Sequence, residues 1–305
     1  MLLITLAILV SVAVGITLER RDRPLARRLA RRALDLLLYV LLPIVILTNV
    51  GRLQITTGVA AGIGLAYVVV GTVSVAAWLM ARRLRLDGPR RGATIVATMV
   101  ANTGYLGIPL AGVLLGPGAV APAIAYDLLV SAPVLFLGAF GVAAATGTEG
   151  GGTVASRGRT FLTRNVALPA AVLGLLLPAS VFTDGIVDAS HVLVLLIAPL
   201  GFFALGVTMM SESQGGELDL PPAAGPPVIT AVVLRNVVAP LLFLGLSSLI
   251  VDVPDAYLLA AAMPCGLNAL TAAHGYGLDE GIVSSAIAWS TTFVLLGAAL
   301  AGVLT

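Results

Sequence analysis

Apolar runs long enough to cross a bilayer recur from one end of this chain to the other, and they decide what it can fold into. A helical span needs about 20 mostly apolar residues, because hydrocarbon satisfies no free backbone N–H or C=O. The runs are continuous rather than short and alternating, which excludes a β-barrel. Of the 305 residues, 59% are hydrophobic and 10% charged, against roughly 25% charged in a soluble domain. The expected fold class is therefore an all-α polytopic membrane protein. With Cys265 as the one cysteine, no intramolecular disulfide can form.

Ten spans are expected, at 2–18, 33–50, 58–81, 92–115, 119–145, 164–180, 190–211, 226–250, 255–275 and 280–304. The basic residues orient them. All 17 are arginines, and 15 lie in or beside the loops at 19–32, 82–91 and 146–163. Arginine-rich loops stay in the cytoplasm, which puts both termini outside the cell membrane. The exceptions are Arg52, in an outer loop, and Arg235, within a span. The inner loops of the second half are acidic and carry little topological information. The first span precedes its arginines, the reverse of a cleavable signal. Arginines in short loops read as a topology signal, so no nucleic-acid partner is expected. The lipid bilayer is the expected surrounding.

The chain divides into a first half at 1–145, a flexible cytoplasmic linker at 146–163 and a second half at 164–305. A further cytoplasmic loop occupies 211–227. The halves look like repeats. Pro43 and Pro199 are 156 residues apart, Pro109 and Pro264 are 155 apart, and Ser131 and Gly138 lie 159 residues before Ser290 and Gly297. Five spans is an odd number, so the second copy enters the membrane inverted. Such repeats allow alternating access by exchanging two conformations.

Two prolines stand near the middle of apolar segments, Pro109 in NTGYLGIP and Pro264 in PCGLN. Broken helices at membrane depth are tolerated only where protein or a watery cavity satisfies the freed groups. Two breaks at matched places point to a transporter substrate site. Half-helix N-termini carry partial positive charge and bind carboxylates. Asn102 and Asn268 add amides, Thr103 a hydroxyl, and Gly104 and Gly107 let backbone approach a ligand. The asparagines could instead only satisfy the broken backbone.

These segments resemble the auxin efflux carrier family, which includes plant PIN proteins and prokaryotic permeases. The shared motifs are LPIVILTNVG at 42–51, ANTGYLGIPL at 101–110, APLGFFALGV at 198–207, RNVVAP at 235–240 and AAMPCGLNA at 261–269. The resemblance implies ten spans in two inverted five-helix repeats, related in fold to bile acid–sodium symporters. It also implies that broken helices 4 and 9 cross near the bilayer midplane, that the substrate is a small organic anion such as a carboxylate, and that the chain forms a homodimer. Asn102 falls in the motif that contacts substrate carboxylate. The long cytoplasmic loop of plant carriers is absent.

Other residues are open to two readings. Asp127, about eight residues into span 5, must face a cavity, find a partner or take a proton, since an intramembrane charge is costly. It could carry a proton or balance charge in the site. Arg235 could join it, or reach the cytoplasmic face. Thr48 and Asn49 could line a cavity or bond between helices. Cys265 could line the pathway, but no neighbouring base makes it a nucleophile. His191 and His274 have no metal-ligand spacing, and a surface position is expected for both. Met209 and Met210 read as packing residues. No cofactor is implied.

A transporter is the leading function. No nucleotide-binding loop is present, so transport must draw on a gradient or run downhill. No acidic residue neighbours Pro109 or Pro264 in sequence, which favours proton coupling or uniport over sodium. A non-transporting sensor with the same fold is the alternative. A membrane-embedded enzyme is less favoured, because Asp127 and Arg235 are too few for a catalytic cluster.

Overall fold

The computed structural model describes residues 2–51, 56–149, 167–215 and 222–304. Arg52, most of the linker expected at 146–163 and part of the loop expected at 211–227 lie outside them. The described residues are helical, as the apolar runs require. In chain order the helices are α1 (Leu2–Arg21), α2 (Arg23–Val50), α3 (Thr57–Arg83), α4 (Gly88–Met99), α5 (Thr103–Leu114) and α6 (Pro117–Thr146). They continue with α7 (Ala167–Leu176), α8 (Asp184–Gly215), α9 (Pro226–Ile250), α10 (Asp255–Ala261), α11 (Asn268–Tyr276) and α12 (Glu280–Leu304). Six are long and apolar enough to cross a membrane: α2, α3, α6, α8, α9 and α12. Large apolar side chains on their outer faces, such as Leu241 and Leu249, are exposed, as lipid contact requires.

One stretch expected as a loop is helix. Residues 23–32 form the first turns of α2, and only Asp22 separates α1 from it. The Asp22 carboxylate accepts a hydrogen bond from Leu25 N at 3.0 Å, an N-cap followed by Pro24 in the first turn. Ala26, Ala30 and Ala33 recur at helical spacing and are buried, while the arginines between them face out. Ala26 and Ala30 pack against Ala204 and Val207 of α8. Arg27 pairs with Glu19 at 2.9 Å and donates to Ser211 Oγ at 2.6 Å, tying α2 to the ends of α1 and α8. The arginine content hid this amphipathic period.

Four prolines shape the helices in one way. Pro43, Pro109, Pro133 and Pro240 each stand two residues after a widened π-helical turn, at Leu37–Leu41, Thr103–Gly107, Asp127–Ser131 and Leu234–Val238. Proline has no N–H, and its ring collides with the carbonyl four residues back. Widening the preceding turn relieves that collision while keeping the chain helical. Thr103, Asp127 and Arg235 all lie on these turns.

Helix α4 is central. Gly92 to Thr98 are buried without exception, and α3, α6, α9 and α12 pack around it. Helix α1 runs along α8 at close range: a Cβ on Gly206 would meet the backbone of Val12, and one on Gly15 the backbone of Phe203. Small residues at such contacts let membrane helices gain dispersion energy where no hydrophobic drive exists.

Candidate functional site

Helix α4 ends where Val100 turns extended, and only Val100, Ala101 and Asn102 separate Met99 from the start of α5 at Thr103. In the second half, α10 ends at Ala261 and α11 begins at Asn268. The two interruptions meet. Ala101 and Cys265 form an isolated antiparallel bridge, with Asn102 N donating to Pro264 O at 2.9 Å and Gly266 N to Val100 O at 2.8 Å. Each break thus satisfies backbone groups that the other leaves free. A Cβ at Gly266 would lie 2.8 Å from Ala101 O, so only glycine allows the strands this close. Ser290, on α12, accepts a hydrogen bond from Cys265 N at 3.0 Å.

Charge enters the two breaks on opposite helix ends. Thr103 Oγ1, at the start of α5, donates to Asp127 Oδ1 at 2.5 Å. The same carboxylate lies 3.5–3.6 Å from where a Cβ on Gly104 would stand, over the first turn of α5. A helix N-terminus is partly positive, and a carboxylate is well placed there. The anion expected at this end is thus supplied by the protein itself. At the second break, Arg235 Nη2 donates to Ala261 O at 2.6 Å, the last carbonyl of α10. Asn236 reaches the next carbonyl, Ala262 O, at 3.5 Å. A cation at a helix C-terminus offsets its negative end. Arg235 is 1% exposed, so it does not reach the cytoplasmic face. No ion pair joins it to Asp127 among the described residues.

Sequence neighbours suggested that no acid stands by the breaks. In space Asp127 does, and the case against sodium loses that premise. The residue was found from its span; its contact with Thr103, across 24 residues, left no sequence signal. Ser290 was visible only as the repeat partner of Ser131, and Asn236 was missed.

The other predicted site residues divide. Asn102 and Thr103 are buried, 4% and 2% exposed, and Asn102 Oδ1 has no hydrogen-bond partner. Pro109, Pro264, Gly107 and Cys265 are buried, while Gly104 is half-buried. Asn268 is exposed. An exposed amide within a broken membrane segment must face water or a polar partner. Asn49 is elsewhere: its amide nitrogen donates to Val45 O at 2.8 Å and Ser190 Oγ at 3.0 Å, while His191 Nε2 lies 3.3 Å from its oxygen. It bonds α2 to α8, and His191 is partly buried in that contact rather than free on the surface. Thr48 bonds back to Ile44 O at 2.9 Å. His274 is exposed beside Glu280. Met210 is buried and Met209 half-buried. Two clefts, of about 360 Å³ along Ser247–Asp252 and about 290 Å³ beside Arg90 and Asp279, include no residue of either break.

Two segments of the chain, residues 4–149 and 159–301, match the model of a family described as membrane transport protein. No curated protein matches the chain.

Proposed function

We propose, from the premise that this chain belongs to the membrane transport protein family of the auxin efflux carriers, that it is a secondary transporter moving a small organic anion across the cell membrane. That family is one of transporters, and the apolar helices make the chain a multi-pass membrane protein. The observation that carries the proposal further is the antiparallel bridge between the two breaks. Helices α4 and α5 then form one broken span and α10 and α11 another, crossing at mid-depth among ten spans in two inverted five-helix repeats. The N-termini of α5 and α11 both open at that crossing, and Asn102 and Asn268 stand beside them. A carboxylate bound there would be exposed to each side in turn as one part of the molecule rocks against the other. With both termini outside, 146–163 is cytoplasmic.

Asp127 is the coupling group in this scheme. A carboxylate at a half-helix end can take a proton on one side and release it on the other. Counterflow in proteoliposomes tests both steps. The protein should exchange labelled organic acid unchanged. Asp127→Asn should lose pH-driven accumulation and retain exchange. Binding without flux would make the chain a sensor, and intact pH-driven accumulation in the variant would remove Asp127 from coupling.

A further inference from the structure

Away from both breaks, a cleft of about 290 Å³ lies where the N-terminal turns of α4, α9 and α12 meet. Arg90, Val228, Asp279 and Ser285 all line it, and each has hydrogen-bonding capacity to spare. Ser285 is 1% exposed, yet its hydroxyl bonds to no described residue, whereas neighbouring Ser284 bonds back to Glu280 O at 2.8 Å. A buried hydroxyl left without a partner is costly unless something in the cleft meets it. Val228 carries the first N–H of α9, because Pro226 and Pro227 have none, and no described carbonyl accepts it. The half-exposed Arg90 side chain makes no hydrogen bond to a described residue. Its Nε lies 3.7 Å from Asp279 Oδ2, close enough for attraction but beyond hydrogen-bond reach. Asp279 Oδ1 accepts from Ile282 N at 3.0 Å, while no described residue donates to Oδ2. The other acid at this end of α12, Glu280, is turned to His274 at 2.9 Å.

We infer that this cleft binds a protonated phosphate group, its oxygens held by Arg90, the Val228 N–H and the Ser285 hydroxyl, and its own O–H donated to Asp279. The donors stand on three different helices, whose N-termini each add partial positive charge. A tetrahedral oxyanion can reach three directions at once; a planar carboxylate presents two oxygens in one plane. Arginine supplies a fork suited to phosphate. Asp279 selects among tetrahedral anions, since phosphate keeps a proton at neutral pH and sulfate has none to donate. The inference is independent of the substrate reading and uses only the orientation proposed above, which opens the cleft to the cytoplasm. Free phosphate and the headgroup of phosphatidic acid share this chemistry.

Thermal unfolding in phosphatidylcholine nanodiscs at neutral pH, titrated with sodium phosphate or with sodium sulfate at matched ionic strength, tests this. Phosphate should raise the midpoint by mass action, and sulfate should need about tenfold higher concentration for the same shift. Ser285→Ala should leave the midpoint unchanged without phosphate and weaken the response to phosphate about tenfold. Arg90→Gln should weaken it by at least as much, and Arg91→Gln, outside the cleft, should not. Asp279→Asn, which can still cap α12, should respond to the two anions alike. If free phosphate has no effect, nanodiscs doped with phosphatidic acid should raise the midpoint of wild type but not of Ser285→Ala, which assigns the group to lipid. The inference is overturned if neither source stabilises the protein beyond sulfate, or if Ser285→Ala and Arg90→Gln respond as wild type does.

Discussion

The two breaks are built from similar sequence and finished differently. Both lie in apolar segments that carry proline, glycine and asparagine in or beside the break, and each lends hydrogen bonds to the other. Yet the first buries its asparagine and receives an acid from α6, whereas the second exposes its asparagine and receives an arginine from α9. The repeat supplies the shared frame, and residues outside the breaks give each copy its electrostatics. The lesson is that quasi-symmetric helix ends need not be equivalent sites. An end already offset by a protein charge competes with ligand, and an end without one does not.

The charged cap of the second break should matter most to stability. Arg235→Ala removes a buried hydrogen bond to the end of α10 and leaves a cavity, at a cost of about 3 kcal/mol. Thermal unfolding in nanodiscs would show it. An unchanged midpoint would mean that the α10 end needs no cation, and the contrast with Asp127 would lose half its basis.

The asparagines sharpen the comparison further. Asn102→Ala should weaken substrate binding by about tenfold to a hundredfold, the worth of one hydrogen bond to a charged group, with the protein still folded. Asn49→Ala should leave affinity unchanged and lower stability by about 1 kcal/mol, since its bonds join α2 to α8. Titration of both variants with the same acid separates a residue of the breaks from one outside them.

Glycine contacts give a comparable but narrower test. Gly266→Ala puts a methyl 2.8 Å from Ala101 O and should cost about 1–3 kcal/mol by overpacking. Gly245→Ala in α9 meets nothing within 4 Å and should change stability by no more than about 0.5 kcal/mol. Equal effects, read as shifts in thermal midpoint, would mean the breaks are not closely paired.

Much of this was legible in the chain, for physical reasons. Proline and glycine in lipid have so few tolerated settings that Pro264 marks the second break without a structure, whereas the first opens at Val100–Asn102, ahead of Pro109, which stays within helical α5. Helix content followed from apolar length alone. Tertiary choices were not legible. Nothing in one sequence says that Asp127 meets Thr103, or that Asn49 faces Ser190 rather than a cavity, because each needs the rotation of two helices about their axes. The start of α2 was hidden by its arginines, although the Ala26, Ala30 and Ala33 spacing was present. The π turns before Pro43, Pro109, Pro133 and Pro240 follow from proline stereochemistry, yet in the sequence Pro43 and Pro109 stand out only as repeat or break markers, and Pro133 does not stand out at all.

The central claim is that the two paired breaks form a water-reached ligand site inside the membrane, open at the second break. Asn268→Cys tests it most directly, placed in a Cys265→Ala background, where the native thiol is fully buried in any case. Embedded in a bilayer, the new cysteine should react with a polar, membrane-impermeant thiol reagent added to one side or the other. A saturating small carboxylate, tested with butyrate, should slow the reaction. No labelling from either side, while a control cysteine in a surface loop labels fully, would place residue 268 against lipid or protein and contradict the site.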